Sequence, residues 1–294
     1  MSALVAMTFG CEDCDSASLI QRKDQKDETA PLIPYRNCPS LVEDDCSFQV
    51  EKDKIFECTY EHAARLVQAM WLRPDAKVLE VGARYGQATC QMAKLLRTGT
   101  GGINETTGAR LVSVDADPTV WPILEANLRK HKCNAQVVQG TIGSKRYKLI
   151  TPEMQKKEEK AHAGYSSFVA DISHPHPGVE VPAHSVQSLN GTFDTLSIDC
   201  EGCFAHFVEE NPDLMKTLSM IIVEVHVCGE CDDDEPTPEE EMVEKLLGLG
   251  WELKHTVMDQ RVLCKGPCHS YCDLNWADNH GLTYWGARWT SRFH

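Results

Sequence analysis

The rhythm of apolar and polar positions changes near residue 59. Before it, residues 1–58 hold neither a 3.6-residue nor a two-residue period. Cys11-Glu-Asp-Cys14, a charged run over 21–28 and Pro31-Leu-Ile-Pro34 punctuate this stretch. It is expected to be a partly ordered arm, with residues 59–294 forming the folded domain. Beyond Thr59, Ala63, Leu66, Val67, Met70 and Trp71 recur at spacings of three and four, which predicts a helix ending before Pro74. Strands are then predicted over 77–81, 110–114 and 135–138, separated by helices over 87–96 and 120–130. Strands alternating with helical periods of this length indicate parallel βαβ units covered on both faces.

The stretch 143–181 is polar, with Lys156-Lys157-Glu158-Glu159-Lys160 and His174-Pro175-His176-Pro177, and reads as an excursion or lid. Strand character returns over 193–199, a helix follows over 205–210, and 220–226 is strongly β-forming. After an acidic loop at 232–235 come a helix over 239–247 and a strand over 251–257. No internal repeat interrupts this order.

Composition narrows the field. A chain of 294 residues suits two average domains or one α/β domain with an arm. No run approaches the roughly 18 consecutive apolar residues of a transmembrane helix, so no membrane span is expected. Forty-four acidic against 29 basic residues give a formal charge of −15. Such a surface repels phosphate backbones and anionic lipid, and no local basic patch offsets it, so no nucleic-acid partner is expected. The 14 cysteines fall below the density of a small disulfide scaffold. Residues 1–10 hold no Lys or Arg, and the acid-rich stretch after them is wrong for a transit peptide. The expectation is a cytoplasmic protein with reduced, unpaired thiols.

Three segments carry candidate chemistry. Val78-Leu-Glu80-Val-Gly82-Ala-Arg84-Tyr-Gly86 is a buried strand entering a glycine turn that opens a helix, where the backbone can approach a ligand closely. Arg84 stands where the dinucleotide fingerprint has its middle glycine, which argues against nicotinamide binding. Glu80, ahead of the first glycine, suits a cofactor with a positive amino group, the pattern of S-adenosylmethionine binders. The next strand ends in Asp115-Ala-Asp117-Pro118. An acid at that tip can accept both ribose hydroxyls of an adenosine, so Asp115 is the candidate ribose ligand, while Asp117 suits a cap. A Gly-rich loop over 98–108 accounts for the long spacing between Gly86 and Asp115.

The third segment is the most specific. Phe193-Asp-Thr-Leu-Ser-Ile-Asp199-Cys-Glu201-Gly202 is followed about 20 residues later by Ile221-Ile-Val-Glu224-Val-His226. With the two earlier motifs in this order, the chain resembles the FkbM-type methyltransferases over roughly residues 77–227. The family's strand-borne Asp-x-Glu-Gly falls on Asp199, Glu201 and Gly202, and its later Glu-x-His on Glu224 and His226. One departure stands out: Gln187 in Val186-Gln187-Ser188-Leu189 occupies the place of a family acid, which puts the substrate-side chemistry in doubt.

The resemblance implies a class I methyltransferase fold, a Rossmann-like α/β three-layer sandwich with a mostly parallel seven-stranded sheet. It also implies transfer of a methyl group from S-adenosylmethionine to a hydroxyl of a small metabolite, sugar or polyketide. Glu80, Gly82, Gly86 and Asp115 would hold the cofactor, and Asp199, Glu201, Glu224 and His226 would face the acceptor.

Strand logic supports that quartet independently. Ligands of open parallel sheets sit beyond the carboxyl ends of the strands, and residues two apart share a face. Glu224 and His226 can therefore converge, and His226 has the pKa best suited to a general base. Two other readings compete. One is a catalytically inactive methyltransferase fold kept as a binding or scaffold module, motivated by Arg84, Gln187 and the cysteines. The other is a zinc-containing interaction protein, from the pairs Cys200/Cys203 and Cys228/Cys231. Alternation turns Cys200 away from Asp199 and Glu201, and no metal ligand is assigned. Cys264, Cys268 and Cys272 form a cluster without an assigned role. Trp276, Tyr284, Trp285 and Trp289 suit packing of the last strand or a pocket wall.

Overall fold

The computed structural model describes residues 48–51, 54–56, 62–97, 110–151, 154, 167–189, 191–225, 236–257, 259–268 and 270. Its elements follow in chain order. β1 (Phe48–Glu51) and β2 (Lys54–Phe56) precede α1 (His62–Trp71), β3 (Val78–Val81), α2 (Gln87–Arg97), β4 (Leu111–Asp115) and α3 (Trp121–Lys130). Next come β5 (Gln136–Gln139), β6 (Thr141–Ile142), β7 (Tyr147–Ile150), β8 (Phe168–Asp171), β9 (Val179–Val181) and β10 (Ala183–His184). The chain continues through β11 (Thr195–Ile198), α4 (Phe204–Glu210), α5 (Pro212–Thr217), β12 (Met220–Glu224), α6 (Pro238–Gly248), β13 (Glu252–Val257) and β14 (Gln260–Cys264).

Seven strands form the main sheet in the order β13-β14-β12-β11-β3-β4-β5. β3, β4, β5, β11 and β12 pair in parallel, and β14 runs antiparallel to both of its neighbours. This is the mostly parallel, seven-stranded α/β sheet that the sequence leads one to expect. The chain builds outward from β3 to β4 and β5, then returns to place β11 on the other side of β3. The strand order therefore reverses between β3 and β11, where a doubly wound sheet opens a crevice.

Every residue of β3, β4 and β11 is buried, as parallel strands covered on both faces require. Val78 and Leu111 pack with Met70, Trp71 and Met92 of α1 and α2 on one face. Leu79, Val81, Leu196 and Ile198 pack with Phe204, Leu214 and Leu246 of α4, α5 and α6 on the other. α6 starts at a capping box, in which Thr237 accepts from the Glu240 amide while the Glu240 carboxylate accepts from the Thr237 amide.

Several expectations change. The 143–181 stretch is not a plain polar excursion, because β7, β8 and β9 form a three-stranded antiparallel sheet in the order β8-β7-β9. Its central strand is buried, and Tyr147 donates to the Glu210 carboxylate of α4, which also pairs with Lys145 and His206 at 2.9 Å each. The β1–β2 hairpin packs Phe48 and Val50 against Leu124 and Leu128 of α3. Asn127 seals that contact by bonding the Gln49 backbone in both directions. The remainder of the 1–58 arm lies outside the described residues.

The expectation of unpaired thiols is corrected. Disulfides join Cys90 to Cys133, Cys200 to Cys203 and Cys264 to Cys268. Pairing follows from spatial approach, as where α2 meets the turn after α3, and spacing alone does not reveal it. Cys228, Cys231, Cys272, the aromatic tail and the 98–108 loop lie outside the described residues. Among the described residues, no helix is long and apolar enough to cross a membrane.

Candidate functional site

At the switch point, the carboxyl ends of β3, β4, β5 and β11 surround a cleft that is partly open to solvent. Its lining includes Gly82, Arg84, Asp115, Asp117, Asp199 and Glu201.

The cleft exists because two loops diverge from adjacent strands. Val81 and Ile198 are register partners, and the Asp199 amide still donates to the Val81 carbonyl at 3.0 Å. Gly82 then turns away with φ +92°, so close to the next loop that a Cβ would lie 1.6 Å from the Asp199 carbonyl oxygen. Only glycine fits there, on both conformation and space.

Asp115 is 6 % exposed and organises the lip. Its Oδ2 accepts from the Arg84 amide at 2.6 Å and its Oδ1 from the Asp117 amide at 2.8 Å. Burial pushes its carboxyl up to about 6, against the pull of those two amides. A carboxylate oxygen accepts more than one hydrogen bond, so both retain capacity for a ligand hydroxyl. Asp117 accepts from the Thr119 amide and hydroxyl, closing the turn ahead of α3, and pairs with the Arg84 guanidinium at 3.6 Å; it does not cap the helix, whose N-cap is Val120. Arg84 itself sits at φ +47°.

Glu80 does not line this cleft. It is 2 % exposed on the α1–α2 face, and its Oε2 accepts from Thr89 at 2.7 Å. It borders a second, smaller cavity lined also by Gln68, Ser197, Asp199 and Gln260. Gly82 and Asp199 border both spaces. Burial drives the Glu80 carboxyl up to about 7, the Ser113 and Thr89 hydroxyls oppose this, and the nearby Asp115 charge adds to it.

Gly86, the other expected cofactor glycine, lies away from the cleft lining. A Cβ there would meet Leu124 Cδ1 at 2.9 Å, so its role is the close approach of α3 to the turn. Asp199 and Glu201 share the cleft. Glu224 ends β12 and accepts from Gln260 Nε2 at 2.6 Å, and neither cavity lining includes it. His226 lies outside the described residues. The departure at Gln187 falls on an exposed turn of 3-10 helix, Val186–Ser188, capped by Ser185.

Strand alternation fails at Cys200. β11 stops at Ile198, and Glu201 and Gly202 follow in left-handed conformations, φ +52° and +93°. That reversal brings Cys200 and Cys203 into the lining beside Asp199 and Glu201. Sequence reasoning also misses Gly140, Thr141, Leu149 and Val169 of the lining, and Gln68 and Gln260 of the second cavity. Gly140 carries a readable signal as a glycine directly after a strand, and at φ +136° a Cβ there would meet the Pro182 carbonyl oxygen at 2.3 Å.

No family model matches the chain, and neither does any curated protein. Solved structures do. The SAH-bound methyltransferase PaMTH1 of Podospora anserina is 12% identical, with 70% of this chain and 76% of that one covered at a TM-score of 0.39. An O-methyltransferase from Bacillus cereus in complex with SAH is 17% identical, covering 73% and 83% at 0.38. Cofactor-bound Rv0187 from MTB is 16% identical, covering 76% and 85% at 0.41.

Proposed function

We propose that the protein is an S-adenosylmethionine-dependent O-methyltransferase acting on a hydroxyl of a small molecule. The observation that carries this reading is the acidic cleft at the switch point, with Gly82 held against the Asp199 carbonyl and Asp115 set at the tip of β4. Asp115, Asp117, Asp199 and Glu201 face a single Arg84, itself paired with Asp117. Such a lining favours a cationic ligand and opposes the pyrophosphate of a dinucleotide.

In this reading the Asp115 carboxylate accepts from ribose hydroxyls, Gly82 lets the backbone close on the cofactor, and the cofactor's amino end reaches past Gly82 and Asp199 into the adjoining cavity that Glu80 borders. When bound, S-adenosylmethionine supplies a sulfonium methyl as the electrophile. Asp199 and Glu201 orient the acceptor hydroxyl and take up its proton, with Glu224 and His226 as the further acceptor-side groups implied by the family resemblance. A positioned base contributes about 10²- to 10⁴-fold, and alignment of the reacting atoms adds to this. Gly86 belongs to helix packing in this account.

Incubation with S-adenosylmethionine labelled in its methyl group, across a panel of sugars, polyols and phenolic metabolites, tests the activity. Acceptor-dependent release of S-adenosylhomocysteine, lost in Glu201→Gln, is the expected result. Cofactor binding without turnover on any acceptor would favour a binding module on the same fold.

A further inference from the structure

The Cys200–Cys203 pair is placed differently from the other two disulfides. It spans three positions, close to the four of Cys264–Cys268 and far from the 43 of Cys90–Cys133, and it alone lies at the cleft. A short loop removes little entropy from the unfolded chain, so breaking this bond leaves the global fold largely intact. Both of its residues are half-buried and both line the cleft. By contrast, each other pair has one sulfur in the core, Cys90 at 3 % and Cys264 at 0 % exposure, with only its partner, Cys133 or Cys268, half-buried.

The bond also closes a loop with mechanical reach. Glu201, a residue with a Cβ, sits in the left-handed region inside the ring that the disulfide closes, a conformation that persists only when its surroundings enforce it. The residue entering the ring, Asp199, has its carbonyl against Gly82. Opening the ring frees Glu201 to leave the left-handed region and loosens the wall shared by the acceptor-side acids and the glycine turn.

We propose that Cys200–Cys203 is a reversible thiol–disulfide exchange site at the cleft, reduced by a small dithiol, and that its state sets the shape of the 199–203 loop and the ligand affinity of the cleft. In the forward step a thiolate of the dithiol attacks one cysteine sulfur, the protein S–S bond breaks, and the other cysteine leaves as a thiolate that takes up a proton. The second thiol of the reagent then displaces the mixed disulfide. The protein gains two electrons and two protons as two thiols, and the reagent departs as its own disulfide. The cleft's carboxylates repel anionic thiols, so a neutral dithiol is the favoured reagent. The consequence for the methyl-donor cofactor rests on the function proposed above.

The test uses the full-length oxidised protein under limiting dithiothreitol, with alkylation mapped by mass spectrometry, amide exchange over 199–203, and calorimetry with S-adenosylhomocysteine. Cys200 and Cys203 should be alkylated before Cys90 and Cys264, loop amides should exchange at least about tenfold faster, and S-adenosylhomocysteine should bind about tenfold more weakly, all reversed on reoxidation. The double substitution Cys200→Ser with Cys203→Ser should reproduce the reduced state. Reduction of the other pairs first, or unchanged loop exchange, overturns the proposal, and equal affinity in both states overturns its effect on the cleft. A changed loop with no S-adenosylhomocysteine binding in either state supports the exchange site and overturns the methyl-donor reading instead.

Discussion

Replacing Glu80 with glutamine isolates the electrostatic cost of the candidate cofactor site. Glu80 is 2 % exposed, Thr89 donates to its Oε2, and its Oε1 has no hydrogen-bond partner among the described residues. Burial raises its carboxyl from the ordinary 4.5 to about 7. Below pH 4.5 the group is neutral in both the folded and the unfolded chain, and its protonated form contributes fully to stability. As pH rises toward 7 the unfolded chain releases the proton first, so this contribution is lost through the folded-state value. At about 1.36 kcal/mol per pH unit, the loss by pH 8 is roughly 3 kcal/mol. The substituted amide would keep an acceptor for Thr89 and add a donor beside Ser113, the register partner of Glu80 on β4. Urea unfolding of oxidised wild type and Glu80→Gln should therefore show the variant roughly 2–3 kcal/mol more stable at pH 8, with the difference nearly gone at pH 4.5. Asp115 titrates in the same range, and comparing the two proteins removes its contribution apart from its coupling to Glu80. A difference independent of pH, or a wild type more stable at pH 8, would refute the argument. The same variant should bind S-adenosylhomocysteine more weakly, since a binding charge is kept here against stability.

Three other substitutions test separate parts of the structure. Gly82→Ala places a Cβ 1.6 Å from a backbone oxygen at φ +92°, so denaturant unfolding should show a loss of more than about 2 kcal/mol. Cys90→Ser opens a disulfide spanning 43 positions and should cost about 3–4 kcal/mol by thermal unfolding under oxidising conditions. Asp115→Ala should retain the circular dichroism of the wild type while weakening S-adenosylhomocysteine binding by about 1.5–3 kcal/mol in equilibrium dialysis.

The central strands were readable because burial on both faces makes them near-continuous apolar runs, as in Val78-Leu-Glu80-Val and Met220-Ile-Ile-Val. Glu80 is the polar exception in the first run, which is why the sequence offers it as a candidate. β14 escapes notice because Gln260 and Arg261 open it and its antiparallel pairing with β12 is set by tertiary contact. β8 and β9 are missed for a related reason: Val179 and Glu180 are exposed and β8 is half-buried, in a small sheet whose one fully buried strand is the central one. Glycine motifs announce tight turns without saying what approaches them, so Gly82 and Gly86 look alike in sequence and differ in space. Cysteine pairing depends on approach across the fold, and Cys200 could not be placed by a strand pattern that ends two residues earlier.

The claim on which the account rests is that the cleft between β3 and β11 binds S-adenosylmethionine. Calorimetric titration of the oxidised protein with S-adenosylhomocysteine at neutral pH tests it most directly, with NAD as the control ligand. The account predicts one-to-one binding near the micromolar range, about −8 kcal/mol, weakened by Asp115→Ala, and no heat with NAD. Absence of binding at millimolar S-adenosylhomocysteine, or binding that Asp115→Ala leaves unchanged, would contradict it.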